Sequence, residues 1–406
     1  MSLALIVLIV FASLVGIMAR PFRLPEAVFS LAGAGVLVGL GGLPPGAAWR
    51  AAGQGEDLYL FLAGMMLLAE LALIQGVFTW AAAHLARRAA GNAARLFRMV
   101  YGLATLITVF LSNDATAVVF TPAVAAMARQ AGARNALPYL LICAFVANAA
   151  SFVLPVSNPA NLVLFGGQMP RLGSWMRLFG LASLLAIAAT FALLWLTQKR
   201  HLNQRLDIPA EAPSLTPGGR WTLAGLAGAA MLLILAAGLG WPLGLLTFLL
   251  GVGCTGLVCA LARQSPWPVM RGVSWNVLAM VAGLFIMVGA LDRAGLIQAL
   301  SGWARSGPLV LGGGLALLSN LANNLPVGLL AAHMLAHAGT GQKAAALIGV
   351  DLGPNLSITG SLATILWLTA LRRAGVGMSG WRFLALGAVM MPPALLLALA
   401  GLWLSL

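Results

Sequence analysis

Charge is scarce in this sequence. Asp, Glu, Lys and Arg make up 8% of its 406 residues, while 61% are hydrophobic and the mean hydropathy is +0.98. No soluble domain hides that much apolar surface, so the composition excludes one and points to an all-α polytopic membrane protein. The alternating strands of about ten residues that build a membrane β-barrel are also missing. Cysteine is nearly absent. Cys143, Cys254 and Cys259 have neither metal-ligand nor disulfide spacing and read as small apolar packing residues, so no metal site is expected. There is no Walker-type phosphate loop, which excludes ATP hydrolysis by this polypeptide. An intramembrane enzyme would want a His cluster or a Ser–His constellation at one depth, and neither is visible. The first hydrophobic run begins at Met1 with no charged flank and no small-residue cleavage site, and reads as a first span.

What is present is a series of hydrophobic runs, most of them near the roughly 20 residues a helix needs to cross the hydrocarbon core. One continuous span is expected over 58–83. Four segments are interrupted by polar residues, Gly or Pro: 99–128 by "LSNDAT", 137–167 by "PVSNPAN", 308–338 by "LLSNLANNLP" and 345–371 by "DLGPNLSITGS". The interruptions recur about half a chain apart. "LSN" stands at 111–113 and again at 318–320, and each is followed some forty residues later by a second broken segment. Aligning those segments sets Asn148 opposite Asp351, Asn158 opposite Ser361 and Asn161 opposite Thr364. Duplication with corresponding interrupted helices is the sequence signature of a secondary transporter. The expected architecture is two inverted repeats of five transmembrane helices, 1–197 and 221–406, joined by a polar linker over 198–220. Each repeat carries one re-entrant hairpin (99–128, 308–338) and one broken helix (137–167, 345–371), giving ten spans and two hairpins.

Loop charges orient this topology. All but Arg50, Arg171, Arg177, Arg293, Arg305 and Lys343 of the 23 Lys and Arg fall on one face. The positive-inside rule makes that face cytoplasmic and puts both termini on the outer side. The formal charge of +14 is thereby mostly explained, and no nucleic-acid partner is needed; membrane lipid is the expected surrounding.

Irregular backbone at membrane depth is tolerated only where protein buries it or where it lines a cavity. Two hairpin tips and two helix breaks would converge near the midplane and present free N–H groups, carbonyls and dipoles to a solute. Ser112, Asn113, Thr116, Asn158, Asn161, Ser319, Asn320, Asn323, Asn324, Ser361 and Thr364 are the expected substrate-binding side chains. Intramembrane carboxylates are functional hypotheses by default. Asp114 and Asp351 lie within the broken motifs, where they could take up a proton or hold a cation. Glu70 is open between a structural and a supporting role. Asp292 beside Arg293 reads as an interfacial ion pair, and His333 and His337 as interfacial or packed. No Lys or Arg falls in the four motifs, which suits a neutral polyhydroxylated solute or a cation better than a multiply charged anion.

The blocks "GVDLGPNLSITGSLATILWLTALRR", "SNLANNLP" and "SNDATAVVFTPAVAAM" resemble the ArsB-type arsenite efflux pumps of the ion transporter superfamily, and the resemblance runs through nearly the whole chain. It implies a multi-pass inner-membrane protein with a scaffold and a transport domain in each half, often homodimeric. The implied activity is export of arsenite and antimonite in exchange for protons, with the proton gradient as energy source and no cofactor. A cytoplasmic ATPase subunit is an open partner. Sodium/proton antiporters and small-anion carriers belong to the same superfamily and remain the alternative. Arsenous acid is a neutral trihydroxy species near neutral pH, compatible with a site of amides and hydroxyls. The chain departs from the family's pattern at Asn148, where an acid is usual, and at Asn355, where a lysine-like residue is usual; both are expected beside the site.

Overall fold

The computed structural model describes residues 1–208 and 213–406, so Pro209–Ala212 of the expected linker lie outside the described residues. Every element is helical; among the described residues there is no sheet, only a single bridge between Asn92 and Arg205. The first half runs α1 (Leu3–Ala19), α2 (Glu26–Gly39), α3 (Pro45–Gly53), α4 (Glu56–Ile74), α5 (Val77–Arg88) and α6 (Ala93–Phe110). It continues through α7 (Thr121–Gln130), α8 (Leu137–Ala149), α9 (Pro159–Phe165) and α10 (Leu172–Gln198). The second half runs α11 (Pro217–Leu239), α12 (Leu243–Leu261), α13 (Trp267–Gly272), α14 (Asn276–Arg293), α15 (Leu296–Ala304) and α16 (Pro308–Ala322). Its last members are α17 (Asn324–Met334), α18 (Thr340–Leu352), α19 (Leu362–Arg373) and α20 (Gly380–Ser405). Seven of these, α4, α6, α10, α11, α12, α14 and α20, are long and apolar enough to cross a membrane; α1, α2, α8 and α16 are shorter and equally apolar.

The two halves follow the same order of long, short, hairpin and broken helices, and their packing corresponds too. α4 lies along α12 as α2 lies along α14; α1 packs on α2 as α11 packs on α12; α6 packs on α8 as α16 packs on α18. α10 and α20 lie against each other. Without a hydrophobic force between helices in lipid, such contacts rely on small residues that let backbones approach. Gly251 of α12 sits on Gly64 of α4, where an added Cβ would lie 2.6 Å from the Gly64 carbonyl oxygen and 2.8 Å from its Cα.

The structure corrects the expected span 58–83. α4 ends at Ile74, and Gly76 adopts a left-handed φ of 72° that few other residues tolerate. The chain then restarts as the amphipathic α5, which carries Arg87 and Arg88 in its last turn. The run reads as continuous in composition because Gln75–Gly76 is too short an interruption to lower the hydrophobicity of the segment. The Asp292–Arg293 pair is not formed either, since consecutive helical residues do not face each other. Among the described residues the ion pair that does form joins Arg20 to Glu26. Of the linker, 199–202 continues α10 as one tight turn, and α11 already begins at Pro217. Between them Leu206 N donates to Gly91 O (2.8 Å) and Asp207 N to Ala131 O (2.9 Å). This portion is thereby strapped to the bases of α6 and α7.

The glycine contact generates a matched pair of variants. Gly251→Val should destabilise the detergent-solubilised protein by about 1–3 kcal/mol, the usual cost of overpacking. Gly253→Val, two residues along the same helix with nothing within 4 Å of an added Cβ, should leave the thermal midpoint unchanged.

Candidate functional site

The four interrupted motifs end helices for identifiable reasons. Ser112 sits at φ 140° and Asn323 at φ 69°, so the backbone at both hairpin tips leaves helical space. Past the first tip, a wide π turn over Ala115–Phe120 leads into α7, where Pro122 stands in the first turn. The opposite Asn158 and Ser361 are both fully extended N-caps. Asn158 Oδ1 accepts from Ala160 N (3.1 Å) at the start of α9, and Ser361 Oγ accepts from Ala363 N (3.1 Å) at the start of α19. Asn323 Oδ1 accepts from Leu325 N (3.4 Å) in the same way at α17. Asn113 Oδ1 takes Asp114 N (2.9 Å), and Ser112 Oγ takes Ala115 N (3.3 Å).

Both tips and both breaks meet at one small cavity of about 40 Å3. Asn113 and Asp114 come from the first hairpin, Asn323 and Asn324 from the second, and Asn158 and Ser361 from the breaks. Leu62 of α4 and Val277 and Met280 of α14 add apolar lining. One water needs some 10–15 Å3, so the space suits roughly three water-sized groups. The capping bonds determine what this lining offers. The oxygens of Asn113, Asn158, Asn323 and Ser361 are already engaged by backbone N–H groups, and the Asn158 Nδ2 is held by Asp351, which leaves the N–H2 groups of Asn113 and Asn323 and the O–H of Ser361 to face a ligand. The Asp114 carboxylate has no hydrogen-bond partner among the described residues and is the ionisable acceptor of the set. No Lys or Arg lines this cavity.

The remaining expected site residues are committed elsewhere. Asn161 Nδ2 donates to the carbonyls of Ser151 (2.9 Å), Leu154 (3.1 Å) and Pro155 (3.2 Å), holding the unwound stretch in shape. Asn320 clamps the other break: its Nδ2 donates to Ala316 O (2.8 Å) and Gly353 O (2.9 Å), and its Oδ1 accepts from Ser357 Oγ (2.6 Å). Ser319 bonds back to Leu315 O (2.9 Å), Thr116 shares a bond with Thr108 (2.8 Å), and Thr364 is buried away from the cavity. Asp351 is completely buried one residue behind the lining. Its Oδ1 accepts from Asn158 Nδ2 (2.8 Å) and its Oδ2 from Ser151 Oγ (2.7 Å), so an acid of the second half is held by two donors of the first. Asn148 and Asn355, the two departures from the expected pattern, contact each other: Asn148 Nδ2 donates to Asn355 Oδ1 (2.9 Å), whose Nδ2 donates to Phe145 O (3.1 Å). Two neutral amides thus occupy that contact as a pair. His333 folds onto its own helix through Leu329 O (3.0 Å).

A vestibule of about 290 Å3 meets the small cavity at Asp114 and carries Glu70, Ser112, Gly272 and, at its rim, Arg373. A second vestibule of about 370 Å3 lies towards the other end of α4, lined by Gln54, Asp57, Gly166, Gly167 and Trp241, and shares no lining residue with the site. Ser151 and Ser157 are the functional-looking residues that sequence reasoning missed. Ser157 Oγ donates to Val109 O (2.9 Å) and accepts from Leu154 N (3.2 Å), tying the first break to the first hairpin. Both serines stand inside the broken segment, and their buried position was the signal the sequence could not supply.

The citrate transporter (CitMHS) family model matches residues 5–352. The chain belongs to the CitMHS family. Among its relatives, the arsenical pump membrane protein of Yersinia enterocolitica is 31% identical over 361 residues, covering 82% of each chain. That of Escherichia coli K12 is likewise 31% identical over 366 residues, again 82% of each. An uncharacterized transporter of Mycobacterium tuberculosis is 28% identical over 86% of each chain. In fold, the chain is similar to the YdaH transporter of Alcanivorax borkumensis, described as having an unusual topology, with a TM-score of 0.57 at 18% identity over 88% of this chain and 87% of that one. This CitMHS-family protein is therefore a multi-pass membrane transporter of the ArsB type, as its motif blocks suggested.

The division of labour among asparagines is testable in the transporter. Asn320→Ala, which frees a buried carbonyl and a serine, should lower stability by about 1–3 kcal/mol. Asn324→Ala, facing the cavity with no partner among the described residues, should stay within about 0.5 kcal/mol of the wild type. Thermal unfolding of the purified protein without ligand measures both.

Proposed function

We propose that this protein exports arsenite and antimonite across the inner membrane in exchange for protons, by alternating access between two inverted repeats. The observation that carries the reading is the small donor-rich cavity at the meeting point of the four breaks. It has room for a solute of a few heavy atoms, and a trihydroxy molecule matches its chemistry. Three oxygens accept from the amides of Asn113, Asn323 and Asn324 and the hydroxyl of Ser361, while one hydroxyl donates to Asp114. Citrate, which names the family model, is too large for this space and would meet no Lys or Arg there. The printed names of the Yersinia and Escherichia relatives point to arsenicals.

Direction and energy follow from the vestibules. The vestibule that meets the site ends at Arg373, on the arginine-rich face we assign to the cytoplasm, with both termini outside. The outer vestibule is separate, so this conformation accepts solute from the cell. A neutral solute gains nothing from the membrane potential, and uphill export then needs an exchanged ion; Asp114 and Asp351 are the carboxylates placed to carry a proton. The N-termini of α17 and α19 also face the cavity and would favour oxygen-bearing anions. That favours a small-anion carrier as the second reading, and sodium-dependent transport indifferent to arsenite would support it.

In everted membrane vesicles, the wild type should accumulate arsenite when the interior is acidic. Asp114→Asn and Asp351→Asn should each slow this by about tenfold or more, the scale of losing one charged hydrogen-bonding partner. Accumulation independent of the gradient, or unchanged rates in both variants, contradicts the mechanism.

A further inference from the structure

Ser151 Oγ lies 2.7 Å from two oxygens at once, the carbonyl of Asn148 and Oδ2 of Asp351. A serine hydroxyl has one proton to donate, so it cannot satisfy both acceptors in the same state. When Asp351 is ionised, Ser151 donates to Oδ2. When Ser151 instead donates to Asn148 O, its own oxygen is free to accept, and the 2.7 Å contact to Oδ2 persists only if Asp351 carries a proton there. We propose that Ser151 is a two-position hydroxyl that makes the Ser151–Asp351–Asn158 cluster the proton-carrying site of the transport cycle.

The surroundings leave this choice to Ser151. The elements packed on α18 are α8, α9, α10, α16, α17, α20 and the turn at 353–355. α9, α16 and the turn carry no titratable side chain. Tyr139 of α8 is engaged with Ala93 O, His333 of α17 with Leu329 O, and Lys343 of α18 itself with Gln168 Oε1 (2.7 Å). Cys143 of α8 is buried and touches neither oxygen of Asp351, while Arg177 and Arg382 are exposed at helix starts. The carboxylate therefore has Ser151 and Asn158 as its donors among the described residues, and no counter-charge.

The switch reaches the substrate cavity through one residue. Asn158 holds Asp351 Oδ1 with its Nδ2 and caps α9 with its Oδ1, and it lines the cavity. With a proton on Oδ2, Oδ1 becomes a neutral carbonyl and a weaker acceptor, since hydrogen bonds to ionised groups are roughly twice as strong. The grip on Asn158 relaxes, and the lining it contributes loosens. The proton comes from water and returns to water; no other bond is made or broken. Ionised Asp351 thus favours an ordered cavity and bound solute, and protonated Asp351 favours release, which is the exclusion that an exchanger needs. Ser151 is a positioning residue here, and the inference rests on the proton-coupled reading above.

Infrared difference spectroscopy on the full-length protein in lipid tests it directly, because a protonated buried carboxyl has its own C=O band. Asp114 can carry a proton too, so the Asp351 band is the one that remains in Asp114→Asn and is lost in Asp351→Asn. Its titration midpoint should move to higher pH by about one to two units in Ser151→Ala, which removes one donor to the charged form. Ser151→Cys, close in size and a weaker donor, should give a smaller shift in the same direction and serves if the alanine variant does not fold. Ser151→Thr, which keeps the hydroxyl, should hold the wild-type midpoint. Wild-type midpoints in the alanine or cysteine variants, or no band lost on going from the wild type to Asp351→Asn, overturn the inference. Arsenite uptake by the wild type in parallel vesicles separates the two questions. Its absence overturns the arsenite reading, while the titration still decides the role of Ser151.

Discussion

A helix interrupted inside the hydrocarbon core exposes backbone donors and acceptors that lipid cannot satisfy, each costing several kcal/mol if left unpaired. This chain makes four such interruptions, and a set of polar side chains beside them answers them. Asn158, Ser361 and Asn323 cap new helices; Asn161 and Asn320 gather carbonyls from the unwound stretches; Ser157 pins one break to the neighbouring hairpin. The site is what remains after that accounting. Capping engages the oxygens of Asn113, Asn158, Asn323 and Ser361, so the cavity inherits N–H and O–H donors, the unengaged amide of Asn324 and one free carboxylate.

The same constraint couples the halves. The acid of the second break, Asp351, is held by donors of the first break, and the Asn148–Asn355 contact crosses the same boundary. Trp367 Nε1 of α19 also donates to Leu140 O of α8 (2.9 Å). The two breaks therefore form one hydrogen-bonded unit. Asn158 links Asp351 directly to the cavity lining.

Composition was enough to read an all-helical membrane protein, and repetition of the polar interruptions was enough to read where its helices fail. The segments 99–128, 137–167, 308–338 and 345–371 each contain a real break. The two-residue turn at Gln75–Gly76 was invisible because it hardly changes local hydrophobicity, although glycine after a polar residue is a stop signal. The site was legible as a set of residues and not as a division of roles. Asn320 and Asn324 look alike in "LLSNLANNLP", and only the fold shows that one clamps backbone while the other faces the cavity. Ser151 carried no sequence signal beyond its place near Asn148, because its meaning depends on an aspartate 200 residues away.

The central claim is that four helix breaks build one solute site. Antimonite carries an electron-rich atom, so a structure of the protein with antimonite bound would locate it unambiguously. The account predicts density among Asn113, Asp114, Asn158, Asn323, Asn324 and Ser361. Density confined to a cysteine, to the vestibule at Arg373 or to the separate vestibule at Asp57 would contradict it.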